Sequence, residues 1–136
     1  MFVGGLVAWN INFTNSIGAT GRYGAHPSTF GPGRCVQHQP RNFTELFEKC
    51  WQPGKFQGNL LIGDPSTKAG RPKEWPANNV FANNSDEVDF ATDNMYPALD
   101  PKSKYKGTAN DGRDPGADVA AVLAATVGVR DGVPKL

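Results

Sequence analysis

The sequence predicts an all-β fold in which short strands stack as successive turns of a solenoid, with short peripheral helices and long loops. Its 136 residues include 16 Gly, 11 Pro and 11 Asn, and so many turn formers favour short strands separated by many turns. Asn also brackets three short apolar runs, around residues 9–17, 56–62 and 79–82. In a solenoid each turn of chain buries its inner face against its neighbours, and Asn at the corners can stack in ladders.

The first of these runs shows the alternation of a half-buried strand, because Trp9, Ile11 and Phe13 are separated by polar residues. We therefore expect residues 9–17, 56–62 and 79–82 to form strands that pair in parallel. Residues 18–40 and 64–76 carry no such pattern and are predicted to be loops.

Three segments are predicted to be short helices. Asn42 and Glu45 have the spacing of a capping box, which begins a helix over residues 42–50. The same spacing recurs in residues 84–87, which lead into a second short helix. Apolar residues at helical spacing predict a third over residues 117–127, with Gly128 as its stop.

The charge pattern argues against nucleic acid as a partner, and the hydropathy pattern argues against a membrane span. The formal net charge is +1 and the basic residues are scattered, so no electrostatic footprint for nucleic acid is present. No apolar run approaches the roughly 20 residues that span a bilayer, so no membrane span is predicted.

The apolar N-terminal stretch is predicted to be an interaction surface. It opens the chain without a polar cap, and an exposed apolar strand edge tends to pair with another chain. We expect a preceding coil or a protein partner to cover this N-terminal edge, which comprises Phe2, Val3, Leu6, Val7 and Trp9.

The two cysteines, Cys35 and Cys50, are predicted to form a disulfide that fixes the long loop. Such a bridge is worth about 3 kcal/mol in the chain-entropy model, and it fits a secreted, periplasmic or cell-surface protein. Two alternatives stay open: a pair of unbridged thiols, or a zinc site that adds His26 and His38, since Cys35 and His38 have ligand-like spacing.

Acidic residues near the C-terminus form a candidate Ca²⁺ site. Asp111, Asp114 and Asp118 supply the oxygen ligands that this hard cation prefers, although their spacing is not that of an EF-hand. The alternative is that these carboxylates cap local turns. No other cofactor is predicted.

Trp51 and Trp75 each lie near a proline in loop-like sequence, where an aromatic face can stack on a sugar. The alternative interpretation is that both are buried anchors.

No catalytic site is predicted. Acid–base catalysis needs titratable groups paired at a pocket, and the sequence fixes no such pair. The residues that qualify by type alone are Glu45, Glu48, Lys55, Arg71 and Glu74.

Three segments carry a resemblance to a known family. Residues 109–119, Ala-Asn-Asp-Gly-Arg-Asp-Pro-Gly-Ala-Asp-Val, are similar to the closing segment of bacterial right-handed parallel β-helix proteins of the pectate-lyase-like superfamily. Residues 75–81, with Trp75 and Phe81, and residues 95–107, with Tyr96 and Gly107, resemble segments of the same terminal coils.

The resemblance implies a single domain, 1–136, of the right-handed parallel β-helix class. Residues 1–55 would hold the N-terminal coil or coils with the cysteine-bearing loop, and residues 56–136 the terminal coils with a closing helix. It implies a non-catalytic extracytoplasmic module that is structural or binds a polysaccharide or protein partner, as the C-terminal piece of a longer protein or a subunit of a surface assembly. The alternative is the terminal part of a polysaccharide lyase or glycoside hydrolase.

Overall fold

The computed structural model describes residues 2–3, 12–27, 41–50, 54–91 and 98–126. The strands in these ranges are β1 (Phe2–Val3), β2 (Asn12–Thr14), β3 (Ile17–Ala19), β4 (His26–Pro27), β5 (Lys55–Gln57), β6 (Leu60–Ile62) and β7 (Val80–Ala82). The helices are α1 (Phe43–Cys50) and α2 (Val119–Thr126), with 3₁₀ turns at Pro72–Glu74 and Asp86–Val88.

The strands pair in parallel, as predicted. β2 pairs with β5, so that Phe13 lies opposite Phe56. β3, β6 and β7 form a second parallel sheet in which Ile17, Leu60 and Val80 are in register. β1 and β4 form a separate parallel pair. Short parallel strands with two short helices are therefore the architecture of the described chain.

The predicted strands 9–17 and 56–62 are each broken by a turn, which corrects their expected continuity. Asn15 separates β2 from β3 with φ 53°, and Gly58 separates β5 from β6 with φ 70°. Asn78, with φ 63°, holds the same position before β7. Gly and Asn are the residues that accept this left-handed backbone most readily. We call the aligned set Asn15, Gly58 and Asn78 the corner column.

The residues that follow the corner column form a hydrogen-bonded ladder. The Asn59 Oδ1 atom accepts from the Ser16 N–H at 3.0 Å, and Asn79 Oδ1 accepts from the Asn59 N–H at 3.1 Å. The Nδ2 atoms of Asn59 and Asn79 donate to the backbone carbonyls of Phe13 and Phe56. Asn59 is fully buried, and these bonds offset the cost of removing its amide from water. Asn at the corners thus stacks as the sequence pattern suggested.

Two apolar clusters enclose the three-stranded sheet. The aromatic core stacks Phe56 on Phe47, with ring centroids 4.3 Å apart, and on Phe13 at 5.4 Å. The aliphatic core comprises Leu60, Ala82, Val88, Leu99 and Tyr105. Burying both faces of the sheet fixes its register, because a slip of one residue would exchange the two sets of side chains.

α1 confirms the first predicted helix. The Asn42 Oδ1 atom accepts from the Glu45 N–H at 2.8 Å, which caps the helix at its first turn. The buried side chains of α1 are Phe43, Leu46, Phe47 and Cys50, and they join the aromatic core.

The second predicted helix is a single 3₁₀ turn. Asn84 Oδ1 accepts from the Glu87 N–H at 2.9 Å, so the start is the one expected. The turn ends at Asp89, whose left-handed φ of 53° cannot continue a helix.

α2 confirms the third predicted helix, with its N-terminus capped by the Asp118 carboxylate, which accepts from the Ala121 N–H at 2.9 Å. None of its residues is buried, and the Val122 side chain is 53% exposed. The expected C-terminal residues Val127 and Gly128 lie outside the described residues. Across the described ranges, no helix has both the length and the apolar character needed to cross a membrane.

Candidate functional site

The segment after β7 contacts the open edge of the three-stranded sheet, where β7 is the last strand. The Tyr105 hydroxyl lies 3.1 Å from the carbonyl oxygen of Phe81 and 2.8 Å from Glu87 Oε1. The Ser103 hydroxyl donates to the carbonyl of Val88 at 2.6 Å. Tyr105 therefore contacts the backbone edge of β7, and Ser103 contacts the 3₁₀ turn that follows it.

The Glu87 carboxylate holds this segment in place through several hydrogen bonds. Its carboxylate accepts from Lys104 Nζ at 2.6 Å and from the Asn83 N–H at 2.7 Å. The hydrogen bond from Lys104, then those from Asn83 and Tyr105, lower the pKa of Glu87 to about 2. Burial, then the neighbouring Glu87 carboxylate, raises the pKa of Tyr105, so its hydroxyl stays protonated at neutral pH.

The loop that follows Tyr105 is held in a compact turn by a second carboxylate, that of Asp114. Asp114 Oδ2 lies 2.5 Å from Lys106 Nζ, and Asp114 Oδ1 accepts from the Gly107 N–H at 2.9 Å. The hydrogen bond from Lys106 is the larger cause of a lowered pKa at Asp114. The Ala109 N–H donates to the carbonyl of Arg113 at 3.1 Å, which completes a compact turn.

This loop docks on the first member of the corner column. The Gly116 N–H donates to the backbone carbonyl of Asn15 at 2.7 Å, and the Asn110 N–H donates to Asn15 Oδ1 at 3.0 Å. Gly116 has a φ of 100°, and a Cβ atom there would lie 3.2 Å from Ile17 Cδ1. Glycine is therefore favoured by the backbone conformation, and a side chain here would also press on Ile17.

A cleft of about 560 Å³ lies between the loop, the start of α2 and residues 15–17. This volume is within the range of small-molecule sites. Its apolar lining includes Ile17, Leu99, Pro115 and Val119. Its charged lining comprises Lys106, Asp111, Arg113, Asp114 and Asp118. One site thus combines apolar surface with donors and acceptors of both charges.

Arg113 is the cation in this cleft that is open to a ligand. Lys106 is already paired with Asp114. In the described part of the chain, by contrast, no carboxylate forms an ion pair with the Arg113 guanidinium. A guanidinium presents five N–H donors, so it suits a hydroxyl-rich or anionic ligand.

The three predicted Ca²⁺ ligands all line this cleft. Asp111 Oδ1 accepts from the Arg113 N–H at 3.0 Å, and Asp118 caps α2, which matches the turn-capping alternative. Among the described residues, no three acidic, His or Cys side chains converge to hold a metal ion. A Ca²⁺ site at Asp111, Asp114 and Asp118 stays a prediction.

Trp75 is placed in the aromatic core. It is 4% exposed, its ring centroid lies 4.5 Å from that of Phe43, and its indole N–H donates to the Ala69 carbonyl at 2.7 Å. This placement matches the buried-anchor alternative. Trp51, the other residue proposed to stack on a sugar, lies outside the described residues.

The five residues that qualified by type for acid–base catalysis are dispersed rather than gathered at one site. Glu48 and Lys55 line a second groove of about 390 Å³, beside Phe47 and Gln57. The other three are engaged locally: Glu45 with Arg41, Glu74 with Lys68 at 3.9 Å, and Arg71 with the carbonyl of Ser66.

The cysteine predictions stay open. Cys50 is fully buried at the end of α1, whereas Cys35 and His38 lie outside the described residues. His26 lies in β4. Cys50 is not a free thiol in the structure, so the unbridged pair is not supported. The disulfide with Cys35 and the zinc site stay predictions.

The N-terminal edge is described only in part. Phe2 and Val3 form β1, whose backbone pairs with β4 of the same chain. Leu6, Val7 and Trp9 lie outside the described residues. A partner at this edge stays a prediction.

Sequence reasoning missed Asn15, Lys106 and Arg113 as members of one site. Asn15 and Asn110 are 95 residues apart, and no periodic pattern connects them. The available signal was the dense Gly, Asn and Asp content of residues 107–118, which indicates a rigid loop but not its docking position.

Comparisons with protein-family models, with curated proteins and with solved structures found no match for this chain.

Proposed function

We propose that the chain forms the terminal coils of a right-handed parallel β-helix and acts as a non-catalytic, extracytoplasmic module that binds a glycan. The parallel register, the corner column and the Asn ladder support the architecture. Two of the segments that resemble β-helix proteins make contacts in keeping with terminal coils: Tyr105, in residues 95–107, contacts β7, and residues 109–119 contact Asn15.

The cleft is the observation that carries the binding function. A sugar ring presents apolar C–H faces and a rim of hydroxyl groups. Ile17 and Val119 offer apolar contact, while Arg113 and Asp111 offer a donor and an acceptor for hydroxyls. The closing loop is held at both ends, by Lys106 with Asp114 and by Gly116 with Asn15, so the site is preorganised.

The electrostatics of the cleft favour binding over hydrolysis. A glycosidase needs one carboxyl group with a raised pKa as general acid beside a second carboxylate. In this cleft the pKa of Asp114 is lowered by Lys106, so Asp114 is ionised at neutral pH and is not a proton donor.

The alternative is that the chain is the terminal part of a polysaccharide lyase or glycoside hydrolase. The groove lined by Glu48 and Lys55 is the observation in its favour, because a carboxylate and an amine both face it. In that case the chain cleaves a polysaccharide, and changing Lys55 to Ala abolishes the cleavage.

Titration of the isotope-labelled chain with neutral and uronic-acid oligosaccharides, followed by amide NMR, tests the proposal. We expect shifts in residues 111–119, and Arg113→Ala should weaken binding by about tenfold or more, the cost of one charge-assisted hydrogen bond. Arg22→Ala is the matched control, because Arg22 is exposed, stacks on Tyr23 at 5.7 Å and does not line the cleft.

Two results would contradict the proposal. Absence of shifts with every oligosaccharide removes glycan binding from the cleft. Appearance of shortened or unsaturated products that depend on Lys55 replaces the binding module with the enzyme.

A further inference from the structure

The charges that line the cleft do not balance. Two of the charged side chains are basic and three are acidic, which leaves a net charge of −1 on the lining. Lys106 and Asp114 are paired with each other, so their charges cancel. One guanidinium and two carboxylates remain, those of Arg113, Asp111 and Asp118. A cleft in which one sign of charge predominates raises the local concentration of ligands of the opposite sign.

The two remaining carboxylates are held in place by the backbone. Asp111 Oδ1 accepts from the Arg113 N–H at 3.0 Å, and Asp118 Oδ1 accepts from the Ala121 N–H at 2.9 Å. Among the described residues, the second oxygen of each carboxylate accepts no hydrogen bond. An ionised carboxyl group has about four acceptor sites and no donor. Each carboxylate therefore keeps an oxygen for a ligand that donates.

The Arg113 side chain is less constrained than these carboxylates. It is exposed, and its guanidinium donates no hydrogen bond within the part of the chain that the structure describes. A ligand that binds it must order a long side chain, which costs conformational entropy. Asp111 and Asp118 are already ordered by their bonds to the backbone. The preorganised polar groups of the cleft are thus acceptors.

The apolar part of the lining suits the face of a sugar ring. Leu99 and Pro115 are buried, and Ile17 and Val119 are partly buried. The C–H face of a ring can pack on these side chains while its polar substituents reach the carboxylates. The substituent that best complements two carboxylate oxygens is a protonated amine, which brings three donors and a positive charge.

We infer that the glycan bound in this cleft carries a free amine, as a deacetylated hexosamine does, and that its ammonium group donates to the carboxylate oxygens of Asp111 and Asp118. A uronic-acid chain is disfavoured in the same cleft, because its own carboxylate meets two carboxylates for one guanidinium. This inference rests on the proposed glycan-binding function and names the class of glycan.

Amide NMR titration of the full chain with three trisaccharides tests the inference. The probes are a glucosamine trimer, its N-acetylated counterpart, which keeps the ring and removes the charge, and a galacturonic acid trimer. At about pH 6 amines are protonated and free carboxyl groups are ionised. At low ionic strength the glucosamine trimer should bind about threefold to tenfold more tightly than the N-acetylated trimer, as expected for an exposed ion pair, and the galacturonic acid trimer most weakly. Salt at about 1 M, where the Debye length is about 3 Å, should remove most of this preference.

Four substitutions assign the preference to the cleft, and the readout is the ratio of the affinities for the amine and the N-acetylated trimer. Asp111→Asn and Asp118→Asn each keep an oxygen for the turn or the cap and remove one charge, so each should lower the ratio by about twofold or more. Arg113→Ala removes the opposing charge and should raise the ratio. Asp86→Asn is the matched control, because Asp86 is exposed and does not line the cleft, and it should leave the ratio unchanged.

The outcomes separate this inference from the proposed function. Tightest binding of the galacturonic acid trimer, or equal binding of the other two, overturns the amine while a glycan site in the cleft stands. An equal fall of the ratio in Asp86→Asn and Asp111→Asn also overturns it, because the amine would then respond to the charge of the whole protein. Absence of shifts in residues 111–119 with all three trimers removes the proposed glycan site, and this inference falls with it.

Discussion

α1 and α2 each contain eight residues and each begin at a capped N-terminus, but they relate to the core in opposite ways. α1 carries charged residues and still buries one face, which includes Leu46 and Phe47. α2 has seven apolar residues out of eight, and none of them is buried in the described structure.

The difference shows that apolar content alone does not place a helix in a core. α1 has one polar and one aromatic face, and its aromatic face meets Phe56 and Trp75. α2 has a narrow stripe of three larger apolar side chains, Val119, Val122 and Leu123, and is otherwise mostly Ala, so it gains less from burial. Ala also has the highest intrinsic helix propensity, and the Asp118 cap adds to it. Packing accounts for α1 and local preference accounts for α2.

The largest expected effect compares two identical substitutions, one in each helix. Leu46 is 1% exposed in the aromatic core, so Leu46→Ala should lower the free energy of unfolding by about 2–5 kcal/mol. Leu123 in α2 is partly buried but packs against neither apolar core, so Leu123→Ala should lower it by clearly less, about 1 kcal/mol. Chemical denaturation of both variants measures the two values.

The outcome also tests what α2 contacts in solution. Equal losses for the two variants would mean that a surface beyond the described residues covers α2. A concentration-dependent loss for Leu123→Ala would identify that surface as a second copy of the chain.

The second prediction removes the two caps. Asn42→Ala deletes the acceptor for the Glu45 N–H and should cost about 1 kcal/mol of global stability, because α1 is part of the core. Asp118→Ala deletes the acceptor for the Ala121 N–H and should unwind α2 locally while the midpoint of global unfolding stays the same. Far-ultraviolet circular dichroism, compared with tryptophan fluorescence during denaturation, distinguishes local from global loss. A shared shift of both probes for Asp118→Ala contradicts the prediction.

The sequence predicted those features of the fold that depend on neighbouring residues. Asn42 and Asp118 indicate helix starts because the cap is three residues from its partner, and parallel pairing follows from repeated Asn-bracketed runs. The breaks at Asn15 and Gly58 were not predicted, since apolar alternation continues through a two-residue turn and hides it.

The cleft could not be predicted because its parts come together only through tertiary contacts. Asn15 and Asn110 meet across 95 positions, and Arg113 lines the same cleft as Ile17, which lies near the other end of the sequence. The burial of Trp75 is a similar case, because a Trp–Pro pair in a loop is compatible with either a sugar platform or a core anchor. Local pattern does not decide between alternatives that long-range packing decides.

The smallest expected effect is the pH response of the first turn of α1. Glu45 in the first turn of α1 accepts two hydrogen bonds from Arg41, at its side chain and its backbone N–H. The side-chain bond is the larger cause, and together they lower the pKa of Glu45 to about 2. α2 itself contains no ionisable side chain.

A carboxyl group whose pKa is lowered by folding stabilises the fold above the pKa of the unfolded chain, near 4.5, and loses that contribution as the pH falls toward about 2. The free energy of unfolding should therefore fall across this window, and by less in Glu45→Gln than in the natural chain. Solvent screens the pair, because the Arg41 side chain is 87% exposed, so the difference should be smaller than the loss caused by Asn42→Ala. Carboxyl NMR during acid titration checks the cause directly: a Glu45 resonance that titrates near 4.5 would show that the Arg41 contact does not persist in solution.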